Sequence, residues 1–337
     1  MMTAESVLDL REATEPPCML DHVVEGPRAW TRDTVRHDAW TIPLPPAALA
    51  EIDTLVETVR RDPLPLLMLS PDQFDLPAST AVMTRVRQVL EGGVGVALVD
   101  RLTLDRFTRE EAIAAYWVLS QLVARPVAQK WDGTMVYDVR DTGREYGYGV
   151  RGSWTNVELV FHTDNSFGIA PPDFVGLLCV HPARSGGKSR FTSLYAVHNE
   201  MLTRHPRLLR RLYQPLYYDR QAEHAPDDPK VALVPAFRYD GQRLRARLAS
   251  SLVRKAHDLL GIPLDAEAAD ALTALDEILA DPRLWIEFTI ERGQLQYLDN
   301  REVAHFRSQF EDHPDPERKR HLVRIWLRDR GRRFYNG

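Results

Sequence analysis

With 337 residues, 44% of them hydrophobic and 27% charged, the chain has the make-up of a soluble globular protein of one large domain or two modest ones. Its net charge of −5, and basic residues scattered apart from short clusters such as Arg318-Lys319-Arg320, argue against a general nucleic-acid or anionic-membrane binder. Two cysteines in no CxxC pattern, Cys18 and Cys179, exclude a cysteine-built zinc site and suit a reducing compartment.

Residues 1 to about 45 are rich in Pro, Thr, Arg and Asp and read as an irregular arm anchored by Trp30 and Trp40. The segment up to Pro17 is acidic and lacks an apolar centre, and no run approaches the ~18 apolar residues of a membrane span, so a cytoplasmic protein is expected. Helical spacing of Leu49, Ile52, Leu55 and Val56 predicts a helix from Pro46 to Arg61. A second helix is expected from Thr80 to Leu90, closed by Gly92-Gly93, and a buried strand from Gly95 to Val99. Thr108-Arg109-Glu110-Glu111 is a capping box that opens a helix stopped at Arg125-Pro126. Strand follows from Pro126 to Val139, then a loop from Asp141 to Gly152.

Further strands are expected over Asp173 to His181 and Lys188 to Thr192, with the Gly186-Gly187 turn between them. A helix from Leu194 to Tyr213 leads into a mixed region with a hairpin at Tyr239-Asp240-Gly241-Gln242 and helices over Leu248 to Leu260 and Ala266 to Ala280. The chain returns to strand at Trp285 to Ile290, Gln294 to Leu298, Val303 to Arg307 and His321 to Leu327. Strands on both sides of a helical insertion (about 194–281) fit one β-rich domain over 91–330, with residues 1–90 packed on it.

The stretch Asn156-Val157-Glu158-Leu159-Val160-Phe161-His162-Thr163-Asp164 carries the chemistry. Alternation along a strand puts His162 and Asp164 on one side and turns Thr163 away. An H-x-D tripeptide is common by chance, and taken alone it reads as a hydrogen-bonded structural pair before a metal grip. His305, in the strand after Leu298-Asp299-Asn300, would complete a face of two histidines and one carboxylate. That donor set leaves positions of an octahedral ion open for other ligands, as non-haem Fe(II) oxygen chemistry requires.

Taken with Ser189 in Ser185-Gly186-Gly187-Lys188-Ser189 and Arg320 beyond His305, the pattern resembles the TauD/TfdA-type Fe(II)- and 2-oxoglutarate-dependent dioxygenases. Longer phrases agree: Val139-Arg140-Asp141-Thr142-Gly143, Phe161-His162-Thr163-Asp164-Asn165, Pro182-Ala183-Arg184-Ser185-Gly186-Gly187 and His321-Leu322-Val323-Arg324-Ile325-Trp326-Leu327. The resemblance covers roughly Gly95 to Arg328. It implies an α+β protein with a double-stranded β-helix (jelly-roll) core, flanking helices and a helical insertion. It also implies His162, Asp164 and His305 as iron ligands, 2-oxoglutarate as cosubstrate and O₂ as oxidant.

The resemblance further assigns Arg320 to the distal carboxylate of 2-oxoglutarate, with a hydroxyl from Ser189 where the family more often has Thr. The loop before Arg320 is longer than in the taurine enzyme, so Arg318, Lys319 and Arg324 compete for that role. Arg324 matches the family's arginine for an anionic group of the primary substrate. Glu158, on the His162 face by alternation, either holds a substrate cation or pairs with Arg151, Arg307 or Arg324. Asn156, Tyr148, Trp154, Asn165 and Ser166 are candidate pocket residues. The expected activity is oxidation, chiefly hydroxylation, of an unactivated carbon in a small carboxylate, an amino acid or similar metabolite. The alternatives are a sulfonate or aryloxyacid substrate, and a catalytically idle metal-binding jelly roll. The presence of Asp164 argues against halogenation. Partners are expected to be small molecules, with neither nucleic acid nor membrane, and the family's habit allows a homo-oligomer.

Overall fold

The helix at Arg109–Gln121 begins where its sequence says it should. Thr108 Oγ1 accepts from the Glu111 amide at 3.3 Å, and the Glu111 carboxylate accepts from the Thr108 amide at 2.8 Å. The computed structural model describes residues 7–10, 18–147 and 149–335. Together with Pro46–Arg61 and Pro77–Gly92 this helix forms the cover of a large sheet, burying Ile52, Leu55, Met83, Val86, Tyr116 and Trp117 in one core with it. At Gly176 the sheet comes so close that an added Cβ would lie 2.5 Å from the Tyr116 hydroxyl oxygen.

That large sheet runs in the order Thr41–Pro43, Val96–Asp100, Leu295–Asp299, Phe174–His181, His321–Arg328 and Arg125–Val127, with Val136–Val139 also paired to His321–Arg328. A four-stranded antiparallel sheet, Trp285–Phe288, Ser189–Ser193, Val303–Arg307 and Leu159–His162, supplies the second layer. Both sheets turn inner faces toward one cavity, and neither closes into a barrel. This is the mixed, jelly-roll arrangement that was expected. The outer face of the smaller sheet, through Phe161, Ala304 and Phe306, packs against the long insertion in a second core with Leu209, Leu212, Leu272 and Leu275.

Several local expectations change. The arm is not wholly irregular, since Thr41–Pro43 adds a parallel strand to Val96–Asp100 and Val7–Asp9 adds one to Val231–Pro235. Trp30 and Trp40 are buried as anchors, the Trp30 indole N–H donating to the Val94 carbonyl at 2.8 Å. The strand expected over Pro126 to Val139 is two strands, because Asp132-Gly133 makes a turn in which the Asp132 carboxylate accepts from Thr134 N at 3.0 Å. The helix expected over Leu194 to Tyr213 is also two, Leu194–Arg204 and Pro206–Leu212. Pro206 pushes His205 out of the helical region. The insertion carries strands as well as helices, Pro215–Asp219 pairing with Val231–Pro235 and Phe237–Tyr239 with Leu244–Ala246. No helix among the described residues is long and apolar enough to cross a membrane.

Candidate active site

His162 closes the Leu159–His162 strand, and His305 lies directly opposite it on Val303–Arg307. Two neighbouring antiparallel strands therefore set the imidazoles side by side, ring centroids 4.2 Å apart. Asp164 follows the strand end in a turn where Asn165 takes φ +52°. Asn300 pins that turn, accepting from Asp164 N at 2.7 Å and donating to its carbonyl at 2.9 Å. Asp164 Oδ1 thus sits 3.7 Å from His162 Nε2 and 3.5 Å from His305 Nε2. One ligand atom from each residue falls within 4.8 Å of the others, a set able to hold a metal ion.

The donor chemistry fits a ferrous ion: two imidazole nitrogens and one carboxylate oxygen on one side, open cavity on the other. The Val160 carbonyl accepts from His162 Nδ1 at 2.8 Å, which leaves the Nε2 lone pair free for a metal. Burial, then the adjacent His305, lowers the His162 pKa to about 4, so its ring is neutral at ordinary pH. For Asp164, burial pushes the pKa up, but Arg324 first and then both histidines outweigh it and hold the carboxyl well below the usual range.

The far oxygen of Asp164 has its own partners. Oδ2 accepts from the Trp326 indole N–H at 2.7 Å and pairs with Arg324 Nη1 at 2.9 Å. Only Oδ1 is left to face the histidines. Replacing Trp326 by Phe should keep the packing and remove one fastening of the carboxylate, weakening metal affinity by about tenfold or more. A metal titration that gave wild-type affinity for Trp326→Phe would contradict this role.

Of the competing basic residues before the last strand, Arg318 and Lys319 are exposed and off the cavity wall. Arg320 is 3% exposed, lines the cavity with Ser189, and has a buried Nη1 without a partner. Gly187 (φ +63°) gives it room, since a Cβ there would meet Arg320 Nε at 3.2 Å. Arg307 lines the same wall and entered the sequence reading only as a partner for Glu158. Its position two residues from His305 on one strand was the signal that it would face the cavity. Burial lowers Arg320 to about 10; burial together with the Arg320 charge lowers Arg307 to about 9.

Arg324 reaches the cavity, but two of its nitrogens are engaged, Nη1 with Asp164 and Nε with Gln129 Oε1 at 2.8 Å. Glu158 lines the cavity with no hydrogen bond or ion pair among the described residues. Arg151 pairs instead with Glu223, and Arg307 donates to main-chain carbonyls. Opposite His305 and Arg307 the Leu159–His162 strand carries one extra residue, which breaks simple alternation on that strand, and Leu159 and Val160 both line the cavity beside Glu158. Asn165 and Ser166 are wall residues, whereas Asn156 and Trp154 are not, and Tyr148 lies outside the described residues. The sequence reading missed Glu223 and Lys255, brought in by the insertion. The whole cavity measures about 440 Å³.

Comparison with known proteins adds three kinds of likeness. A family model described as "Taurine catabolism dioxygenase TauD, TfdA family" matches residues 60–326. FR-33289 synthase of Streptomyces rubellomurinus (strain ATCC 31215) is 27% identical over 323 residues, 94% of each chain. The taurine hydroxylase-like protein SAT17 of Stachybotrys chartarum (strain CBS 109288 / IBT 7711) is 25% identical over 293 residues, 83% of this chain and 72% of the relative. Among solved structures, asparagine oxygenase with Fe(II), 2S,3S-3-hydroxyasparagine and succinate superposes with TM-score 0.63 at 20% identity, covering 86% of this chain and 94% of that one. The non-heme iron oxygenase OrfP with Fe and alpha-ketoglutaric acid gives TM-score 0.65 at 17% identity with the same coverage. At such identities these structures speak to the fold.

Proposed function

We infer, for a chain that belongs to the taurine catabolism dioxygenase TauD/TfdA family, that it hydroxylates an unactivated carbon of an amino acid or similar zwitterion. The enzyme class itself is that of the family, an Fe(II)- and 2-oxoglutarate-dependent dioxygenase using O₂. Iron with 2-oxoglutarate supplies the oxidising power, O₂ being spent on decarboxylating the keto acid to succinate and CO₂ and on oxidising the substrate carbon.

The chain's own residues do the rest. His162 Nε2, Asp164 Oδ1 and His305 Nε2 hold the metal. Trp326 and Arg324 keep the second Asp164 oxygen turned away, so the carboxylate offers one oxygen only. Arg320 and Ser189 take the distal carboxylate of 2-oxoglutarate, the guanidinium supplying a charge-assisted donor in a dry wall. Val175, Leu177, Phe191 and Leu322 line that end with apolar surface and exclude water. At the other end Glu158 receives the substrate's cation, and Arg324 Nη2 its carboxylate.

The observation that carries the substrate class is Glu158, an exposed carboxylate on the cavity wall with no ion pair among the described residues, while Arg151 is taken by Glu223 and Arg324 by Asp164. Support comes also from the fold's record, since OrfP with this fold is known in complex with (3S)-hydroxy-L-Arg. The test is a screen of free amino acids, taurine and an aryloxyacetate for O₂-dependent succinate release, with mass spectrometry of the product. An amino acid should raise succinate above the substrate-free level and gain one oxygen atom. Stimulation by the aryloxyacid alone, which carries no cation for Glu158 to hold, would overturn the assignment, and stimulation by taurine alone would keep the zwitterion but put a sulfonate in place of its carboxylate. With the true substrate, Glu158→Gln should raise KM by about tenfold, the worth of one charge-assisted contact, with little change in kcat. An unchanged KM would remove Glu158 from the binding site.

A further inference from the structure

We propose that Arg307 is a second guanidinium anchor for the distal carboxylate of 2-oxoglutarate, closing on it together with Arg320 and Ser189. The proposal takes the identity of the cosubstrate from the function proposed above and adds a residue that neither the sequence reading nor the family resemblance assigned to it.

Three geometric facts converge. First, Arg307 is the direct cross-strand partner of Ser189, and both line the cavity. Second, the guanidinium carbons of Arg307 and Arg320 lie 5.0 and 4.9 Å from the centroid of one and the same ring, Phe310. The Val303–Arg307 strand and the residue just before the His321–Arg328 strand thus bring two cations against a single aromatic ring. Third, both guanidiniums are almost fully buried, at 6% and 3% exposure, and both carry buried nitrogens without partners: Nε and Nη1 of Arg307, Nη1 of Arg320. No carboxylate forms an ion pair with either among the described residues.

Holding two like charges in a dry wall is costly unless something pairs with them. Among the described residues no carboxylate comes within ion-pair distance of either guanidinium, Asp141 acting on Arg307 and Asp312 on Arg320 only from further off, so the arrangement has room for an anion from solution. One carboxylate has lone pairs enough for both guanidiniums and the Ser189 hydroxyl. Arg307 is also held in place beforehand. Its Nη2 donates to the carbonyl of Thr155 at 2.9 Å and to that of Val157, so its remaining donors are already aimed when the ligand arrives. The charge of each guanidinium burdens the other until the anion neutralises both.

The experiment compares two keto acids by calorimetry on the Mn(II)-loaded protein without O₂. 2-Oxoglutarate has the distal carboxylate; 2-oxopentanoate keeps the keto-acid head and chain length but lacks it. Wild type should prefer 2-oxoglutarate, and Arg307→Gln should shrink that preference by at least about tenfold, the loss of a buried charged contact. A merely structural role for Arg307 would weaken both ligands alike and leave the ratio unchanged, and that result overturns the proposal. Should Arg307→Gln fail to fold, the ratio is read on Arg307→Lys, which keeps the charge but loses the fork. A several-fold fall supports the anchor, and an unchanged ratio rejects it. Absence of any preference in wild type would reject the cosubstrate assignment and Arg307 with it. A wild-type preference that survives in the variants rejects Arg307 alone.

Discussion

Substituting alanine for His305 is expected to cut substrate-dependent succinate formation by at least about a thousandfold, a loss of roughly 4 kcal/mol of transition-state stabilisation. The reason lies in the donor set. Three side chains from two neighbouring strands and the turn after one of them converge within 4.8 Å, and removing one leaves a two-point grip. The His305 ring is partly buried beside His162, and alanine there removes a ligand without disturbing the strand pairing of the backbone. Folding should survive, which a melting temperature and a circular dichroism spectrum would establish. The variant should also lose tight Fe(II) binding in an anaerobic titration. Residual turnover within tenfold of wild type would mean that another group holds the metal.

Arg324→Met is expected to destabilise the metal-free protein by about 3 kcal/mol, as breaking a buried ion pair from one side strands the other charge. The stranded group is Asp164, 5% exposed, whose largest favourable electrostatic partner is Arg324. The sign with pH follows from the direction of its shift. Asp164 is held below its unfolded value near 3.9, so its contribution is fully present above that pH and fades as pH falls through the folded value. Without Arg324 the folded value rises, and acid unfolding should begin at higher pH than in wild type. Urea unfolding of Arg324→Met, Asp164→Asn and the double variant isolates the coupling. The account requires most of the loss to vanish in the Asp164→Asn background. Strictly additive losses would mean that the pair is not what holds Arg324. The same variant should also raise KM for the primary substrate, because Nη2 is the nitrogen left for it.

The contrast between His162 and Arg324 shows what a linear sequence makes legible. The H-x-D spacing and strand alternation place His162 and Asp164 on one side, and the return strand holding His305 is readable from its own pattern. What alternation cannot tell is who shares a cavity with whom. Arg324 lies on the expected face, yet two of its nitrogens meet Asp164 and Gln129, partners far away in sequence. Arg307 and Arg320 share Phe310 because two sheets fold over each other, a relation no local pattern encodes. Glu158 does face the cavity, but beside Leu159 and Val160, since a register shift sets the strand's inner surface there. The helices with strong caps and apolar stripes were readable to within a few residues. The strands of the insertion were not, because their short apolar runs gain meaning only once paired.

The most direct measurement is an anaerobic titration of Fe(II) into the protein with 2-oxoglutarate, followed by visible absorption. One ferrous ion per chain should bind, with a charge-transfer band that appears only when the keto acid is present and that is lost in His162→Ala. If Fe(II) binds without any such band, or the band survives in His162→Ala, the two histidines and Asp164 are not the seat of the chemistry.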